Sequence, residues 1–337
     1  MRDDLKGLLK RHEAFWRGEG ERALRQVTAH APLREQGGIP LTDGGRAREG
    51  QYITPDLIDP RRFYGENGGA GSVISGDFMA GSAPPGLCWT EAILGCPVRV
   101  VTGGPWAEPF FEEGTDLGRL TADERWLKKL DAFVDFLVAR AGGRHPVGQP
   151  LFRGPVDMMA SALGHERMCV AFVESPEWAD AFLEVCAEVF IEAARRRLDH
   201  TPPFEGGYIS GYGIWAPGSV VRTQVDNATL LSPGVYRERV LPHDRRVIEA
   251  FDCPLIHLHS GCLHIVDDLL RVEALRAIQV SIDYPGGPLA SEVMPIFRRV
   301  LREKPLIVTG PVTEAELREL EALDPPGRLC LRVEIVA

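Results

Sequence analysis

Residues 254–264 read Pro254-Leu255-Ile256-His257-Leu258-His259-Ser260-Gly261-Cys262-Leu263-His264. An apolar run of this length leading into a Ser-Gly exit is a short strand, and Ile265 to Leu270 reads as the helix that follows. In a strand, residues i and i+2 share a face. His257 and His259 therefore point the same way, while Leu258 packs on the other side. Spacing alone leaves two readings open: a pair of hydrogen-bonded structural histidines, or a metal or substrate site.

The same grammar extends in both directions. Strands are expected at 72–78, 97–102, 151–153, 206–215, 220–225, 277–283, 305–310 and 328–336. Helices are expected between them at 88–94, 121–141, 156–163, 176–198, 233–251, 289–302 and 313–322. Ser175-Pro176-Glu177 and Ser232-Pro233 carry the capping hydroxyl and first-position proline of helix starts. Strands separated by helices over most of a chain are the pattern of parallel β/α units. This many units favour a closed (β/α)8 TIM barrel over an open doubly wound sheet, and no Gly-rich dinucleotide fingerprint follows the first strand. Residues 3–17 have the spacing of an opening amphipathic helix, and residues 32–70 are an irregular stretch rich in Gly, Arg and Pro, a lid or an arm to a partner subunit. The expected organisation is an N-terminal helix and irregular arm over 1–70, packed on a barrel over 71–337, with the arm one reason to expect a homodimer.

Composition narrows the function classes. Lys plus Arg is 38 and Asp plus Glu is 48 in 337 residues, a formal charge of -10. That balance argues against nucleic acid or an anionic membrane as the main partner. The charged N-terminus has no apolar core behind it, and there is no membrane-spanning apolar run. Seven scattered cysteines without a CxxC pair read as reduced thiols of a cytoplasmic protein. No GxSxG elbow supports a serine nucleophile.

Barrel enzymes gather their chemistry where strands end. The strand exits expected here carry Asp77, Trp106, Arg153, Tyr212, Trp215, Asp226, His257, His259, Asp283, Tyr284 and Thr309. Asp77, Asp226, Asp283 and Tyr212 are candidates for proton transfer, although Asp77 and Asp283 could equally cap the next helix. Trp106, Tyr208, Trp215 and Tyr284 would wall a pocket for a small-molecule substrate, or simply pack. Arg153 could anchor an acidic substrate group bidentately or pair with a barrel carboxylate. His257 and His259 offer two nitrogen donors to a metal. Completions include Glu91, Cys262, Cys330, His264, Asp226 and Asp283, and zinc needs three or four such donors to converge.

Several segments taken together resemble the uroporphyrinogen decarboxylase-like superfamily. They are Phe152-Arg153-Gly154-Pro155, Glu174-Ser175-Pro176-Glu177, Asp226-Asn227-Ala228-Thr229-Leu230-Leu231-Ser232-Pro233-Gly234-Val235-Tyr236, His257-Leu258-His259-Ser260-Gly261 and Ser281-Ile282-Asp283-Tyr284. The resemblance implies a (β/α)8 barrel. It also implies an enzyme, either a decarboxylase or one of the zinc-dependent, corrinoid-linked methyltransferases. In those methyltransferases this strand end looks like HxCG, with a late Cys completing the zinc site. Here His259 stands in the place of the first Cys, Cys262 follows three residues on, and Cys330 lies in the final strand region. The Arg-rich loop with which the decarboxylase meets its tetrapyrrole has no clear counterpart around Arg46, Arg61 and Arg62. The leading expectation is a metal-assisted methyltransferase, with zinc and a corrinoid on a partner protein. The alternatives are a metal-free carboxy-lyase acting on a small carboxylic acid and a non-catalytic ligand- or corrinoid-protein-binding barrel.

Overall fold

The computed structural model describes residues 2–29, 38–65, 72–323 and 325–336. Six strands form one parallel sheet: β1 (Leu24–Ala29), β2 (Val220–Gln224), β3 (Cys253–His259), β4 (Ala277–Ser281), β5 (Leu306–Val312) and β6 (Leu329–Ile335), in the spatial order β1-β6-β5-β4-β3-β2. From β2 onward each strand lies beside the one before it, and the first strand of the chain pairs with the last. That order curls the sheet toward a ring. Both edge strands, through Leu24 of β1 and Val220 of β2, belong to one apolar cluster.

The inner face follows a simple rule. Each strand starts apolar on its inward face: Leu24, Val220, Cys253 followed by Leu255, Ala277, Ile307 and Cys330. The next, two residues on, is polar: Gln26, Arg222, His257, Gln279, Thr309 and Arg332. The apolar layer is closed from below by Phe15 and Trp16 of helix α1 (Arg2–Arg17). On the outer face Val221, Ile256, Leu258, Ile278, Val280, Val308 and Leu331 pack under the helices. These are α2 (Trp89–Leu94), α3 (Glu124–Ala141), α4 (Pro155–Leu163), α5 (His165–Glu174), α6 (Pro176–Asp199), α7 (Leu241–Glu249), α8 (Ala290–Glu303) and α9 (Glu314–Glu321).

The expected closed eight-stranded ring is replaced by a six-stranded sheet whose free edges are bridged in another way. Extended segments around 77–83 and 146–153 run through the gap between β1 and β2, paired to each other only at Ser82 and Val147. Arg25 N–H of β1 donates to the Asp77 carboxylate, and the Gln149 amide makes two hydrogen bonds, of 2.7 and 2.9 Å, to the backbone of Arg222 in β2. Pro84, Pro85, Pro146 and Pro150 lack the N–H that a ladder requires, so these segments cannot extend a regular sheet.

Other expectations change as well. The stretches 72–78, 97–102 and 206–215 are not barrel strands. They form small antiparallel hairpins outside the parallel sheet: Ile74–Ser75 with Phe78–Met79, Val98–Val101 with Gly104–Ala107 and, on its other side, Tyr52–Ile53, and Tyr208–Ile209 with Trp215–Ala216. Each joins its strands through a glycine-bearing turn that can reverse the chain but cannot cross over to a parallel neighbour. The helix expected over 233–251 is interrupted by a π-turn at Tyr236–Val240, just before Pro242. β1 and α5 lie in stretches for which no element was expected, and β1 brings the N-terminal segment into the sheet itself. Residues 30–37 and 66–71 of the expected arm lie outside the described residues.

Phe15 is 1% exposed against the apolar layer. Phe15→Ala should therefore cost about 3–5 kcal/mol of unfolding free energy, seen as a lower urea midpoint with an unchanged slope.

Candidate metal centre

The polar end of the inner face converges on three atoms. His257 Nε2 lies 3.3 Å from His259 Nε2, and Asp226 Oδ1 lies 3.7 Å from the first and 3.6 Å from the second. Among the described residues these three form the one group of side chains arranged to hold a metal ion.

The neighbours decide which of these atoms carries a proton. Gln279 of β4 donates its Nε2–H to Thr309 Oγ1 at 2.9 Å, which turns its Oε1 toward His257 Nδ1. A carbonyl oxygen can only accept, so His257 Nδ1 holds the proton and Nε2 presents a lone pair. Asp283 Oδ1, 2.7 Å from His259 Nδ1, fixes the second ring in the same sense. Burial, reinforced by Arg222, pushes the His257 pKa well below its usual value, so its ring is neutral. Asp226 Oδ2 accepts from Gln224 Nε2 at 2.7 Å, while Asp226 Oδ1 is buried and has no hydrogen-bond partner. With Asp226 ionised, three lone pairs thus face one another with no donor between them.

The spacing can be compared with that of real ligand sets. Atoms bound at about 2.0–2.1 Å to a tetrahedral centre lie roughly 3.3–3.4 Å apart, and in an octahedral set neighbouring ligands lie about 2.9 Å apart. Separations of 3.3, 3.6 and 3.7 Å fit the first better. Two imidazoles and a carboxylate with a vertex to spare match a catalytic zinc site.

The supporting shell runs from one ligand to another. Tyr212 donates to Gln279 Oε1 and accepts from Arg222 Nε at 2.9 Å; Arg222 Nη1 donates to Gln224 Oε1 at 2.7 Å, and Gln224 in turn holds Asp226. Asp157 on α4 accepts from the backbone N–H groups of Asp226 and Asn227 at 3.1 and 2.9 Å, clamping the turn after β2. α4 can dock so closely because Gly154 precedes it. A Cβ there would lie 2.1 Å from the Gln224 carbonyl oxygen. Burial, and then the nearby Asp157 charge, push the Asp226 carboxyl up to about 7.

The other sequence-derived candidates fall in three places. Arg153 joins the neighbourhood: its Nη1 is 3.2 Å from Glu91 Oε1, and its guanidinium lies 5.4 Å from the centre of the Trp106 ring. Glu91 is fully buried on α2, and Trp106 stands on the antiparallel hairpin, outside the parallel sheet. Cys262 is close in sequence but turned toward the Asp226 carbonyl, its buried thiol pushed up to about 12. His264 contacts the Leu231 carbonyl oxygen, and Tyr284 is half exposed beyond Asp283. Asp77, Tyr208, Trp215 and Cys330 belong to the opposite end. Asp77 is held bidentately by Arg22 at 2.6 Å, beside the start of β1; Trp215 packs on α1, and Tyr208 and Cys330 lie in the apolar layer.

Gln279, Arg222, Gln224, Asp157 and Asn227 were not singled out from the sequence. Two of the strands did carry a signal: Arg222-x-Gln224-x-Asp226 and Gln279-x-Ser281-x-Asp283 place polar groups at every second residue of otherwise apolar runs.

No family model matches the sequence, and no curated protein matches it. A solved methyltransferase from Methanosarcina mazei aligns over 97% of this chain and 93% of its own, with a TM-score of 0.62 and 13% identity. The two share a fold. At that identity the likeness concerns architecture alone. A B12-independent methionine synthase from Shewanella sp. W3-18-1, in complex with selenomethionine, aligns over 71% of this chain and 64% of its own at a TM-score of 0.41 and 13% identity, too distant to carry an argument. No helix among the described residues is long and apolar enough to cross a membrane.

The raised Asp226 pKa has a defined sign. A folded-state carboxyl that titrates near 7 instead of near its ordinary value contributes stability at low pH that is lost as pH rises from about 4 to about 7. An asparagine cannot ionise. In chelator-treated protein, the thermal midpoint of Asp226→Asn should gain on wild type as pH is raised from 5 to 8.

Proposed function

We propose that this chain is a methyltransferase in which Asp226, His257 and His259 hold a transition-metal ion, zinc foremost, for activation of an acceptor thiol. The observation that carries this reading is the convergence of the two imidazole Nε2 atoms with Asp226 Oδ1, which is buried and unpartnered. The order of motifs in the sequence and the shared methyltransferase fold support it. When bound, zinc supplies the charge that keeps a ligated thiol deprotonated at neutral pH.

The chain's own residues do the positioning. Gln279 and Asp283 hold both imidazoles in the tautomer that offers Nε2. Gln224 and Asp157 fix the Asp226 carboxylate and the turn that bears it. Arg153, braced by Glu91 and Trp106, supplies positive charge near Asp226 for an anionic group entering from that side. A methylated corrinoid on a partner protein is the donor that the sequence resemblance implies.

Zinc analysis tests the reading. Protein purified without chelator should carry stoichiometric zinc, and the His257→Ala/His259→Ala variant should carry almost none. Equal, negligible metal in both, with activity that survives exhaustive chelation and collapses in Arg153→Ala, would replace this reading with the metal-free carboxy-lyase. Tight ligand binding without turnover would favour the non-catalytic barrel.

A further inference from the structure

Behind Gln279, on the side away from His257, the inner face opens into a cavity of about 300 Å³ lined by Gln26, Thr28, Tyr212, Thr309, Arg332 and neighbouring residues of β6. A second, of about 270 Å³, lies along Ser82, Gln149 and Ser210 and is also lined by Arg332. Together they approach the size of a small-molecule site. Tyr212 and Thr309 belong both to this wall and to the shell around the metal centre, since each hydrogen-bonds Gln279, the partner of His257.

Arg332 is the feature of these cavities that packing does not account for. Its Nε donates to Gln26 Oε1 at 2.9 Å and its guanidinium lies 4.9 Å from the centre of the Phe78 ring, but it has no ion pair with an acidic side chain among the described residues. Glu334, which also lines the first cavity, is itself partnered. The Nη atoms of Arg332 make no hydrogen bond among the described residues, and burial lowers the pKa of the guanidinium. A half-buried guanidinium lacking a counter-ion is costly unless a ligand provides one. Arg222, hydrogen-bonded to Tyr212, adds a second positive charge nearby. In a chain of net charge -10, this places two guanidinium groups at or beside cavities whose one lining carboxylate among the described residues is Glu334.

We infer that Arg332 is the binding residue for a carboxylate on the small-molecule substrate, seated in these cavities with its reacting end directed past Tyr212 and Thr309 toward Asp226, His257 and His259. The planar fork of arginine accepts a carboxylate bidentately, with the Thr309 and Tyr212 hydroxyls close by. The direction of the reacting end rests on the metal-centre reading above; the carboxylate site does not.

Three probes separate the two: 3-mercaptopropionate, which has a thiol and a carboxylate; 2-mercaptoethanol, which has the thiol alone; and propionate, which has the carboxylate alone. Calorimetric titration of the zinc-loaded protein should give 3-mercaptopropionate an affinity roughly tenfold or more above 2-mercaptoethanol, the scale of one charge-assisted hydrogen bond. Arg332→Gln should erase that preference without changing 2-mercaptoethanol binding, and Arg332→Lys should keep part of it. On chelator-treated protein, propionate should still bind in wild type and weaken in Arg332→Gln. Propionate binding that depends on Arg332, without any thiol binding, would uphold the carboxylate site and count against the metal reading. Equal affinities for charged and uncharged probes in wild type, or a preference that survives in folded Arg332→Gln, would overturn the inference. Circular-dichroism melting establishes that each variant is folded, and if Arg332→Gln is not, undiminished preference in Arg332→Lys would count against it.

Discussion

Three ligand-type atoms held together with no hydrogen-bonding group placed between them are the constraint on which the functional end of this protein depends. His257 Nε2, His259 Nε2 and Asp226 Oδ1 lie 3.3–3.7 Å apart, and the fold holds them there through partners on the far side of each ring and carboxylate. Those four partners come from three different segments. Gln279 and Asp283 belong to β4 and its exit, Gln224 to β2, and Asp157 to the first turn of α4. Removing any one of them would let a ring turn or a carboxylate swing away, so the cluster depends on the register of the sheet.

That register has its own logic. On every strand the inward residues are apolar at the start and polar further on, so the sheet surrounds a dry layer at one end and a hydrogen-bonded layer at the other. The dry layer, closed by Phe15 and Trp16, secures the strands. The polar layer can then hold groups that a close-packed core would not accommodate. Asp77 shows the division of labour. It is a carboxylate in a strand-like segment, but at the dry end, where it serves the ion pair with Arg22 and the tie to β1.

Much of this was legible from the residues. The HxH pair, the apolar strands from Val220 onward and the helix starts at Pro176 and Pro233 rest on local periodicity and on proline, which act over a few residues. Trp106, Tyr208 and Trp215 were expected at barrel exits because a two-stranded hairpin and a barrel strand have the same alternation. Nothing within such a stretch says which partner it will pair with. The ring gap had a visible cause in Pro84, Pro85, Pro146 and Pro150, but its bridging by the Gln149 side chain depends on a contact 73 residues away in sequence.

The sequence by itself determined the class of fold, the face on which His257 and His259 lie, and the placing of chemistry at strand ends, because these follow from two-residue and helical periods. The tertiary structure decided the rest. It selected Asp226 over Cys262 and Cys330 as the third atom near the histidines, fixed both tautomers through Gln279 and Asp283, and left Arg332 without an acidic partner among the described residues. Each of these depends on which strands lie side by side and in what register, and a one-residue slip would turn every one of those side chains to the other face.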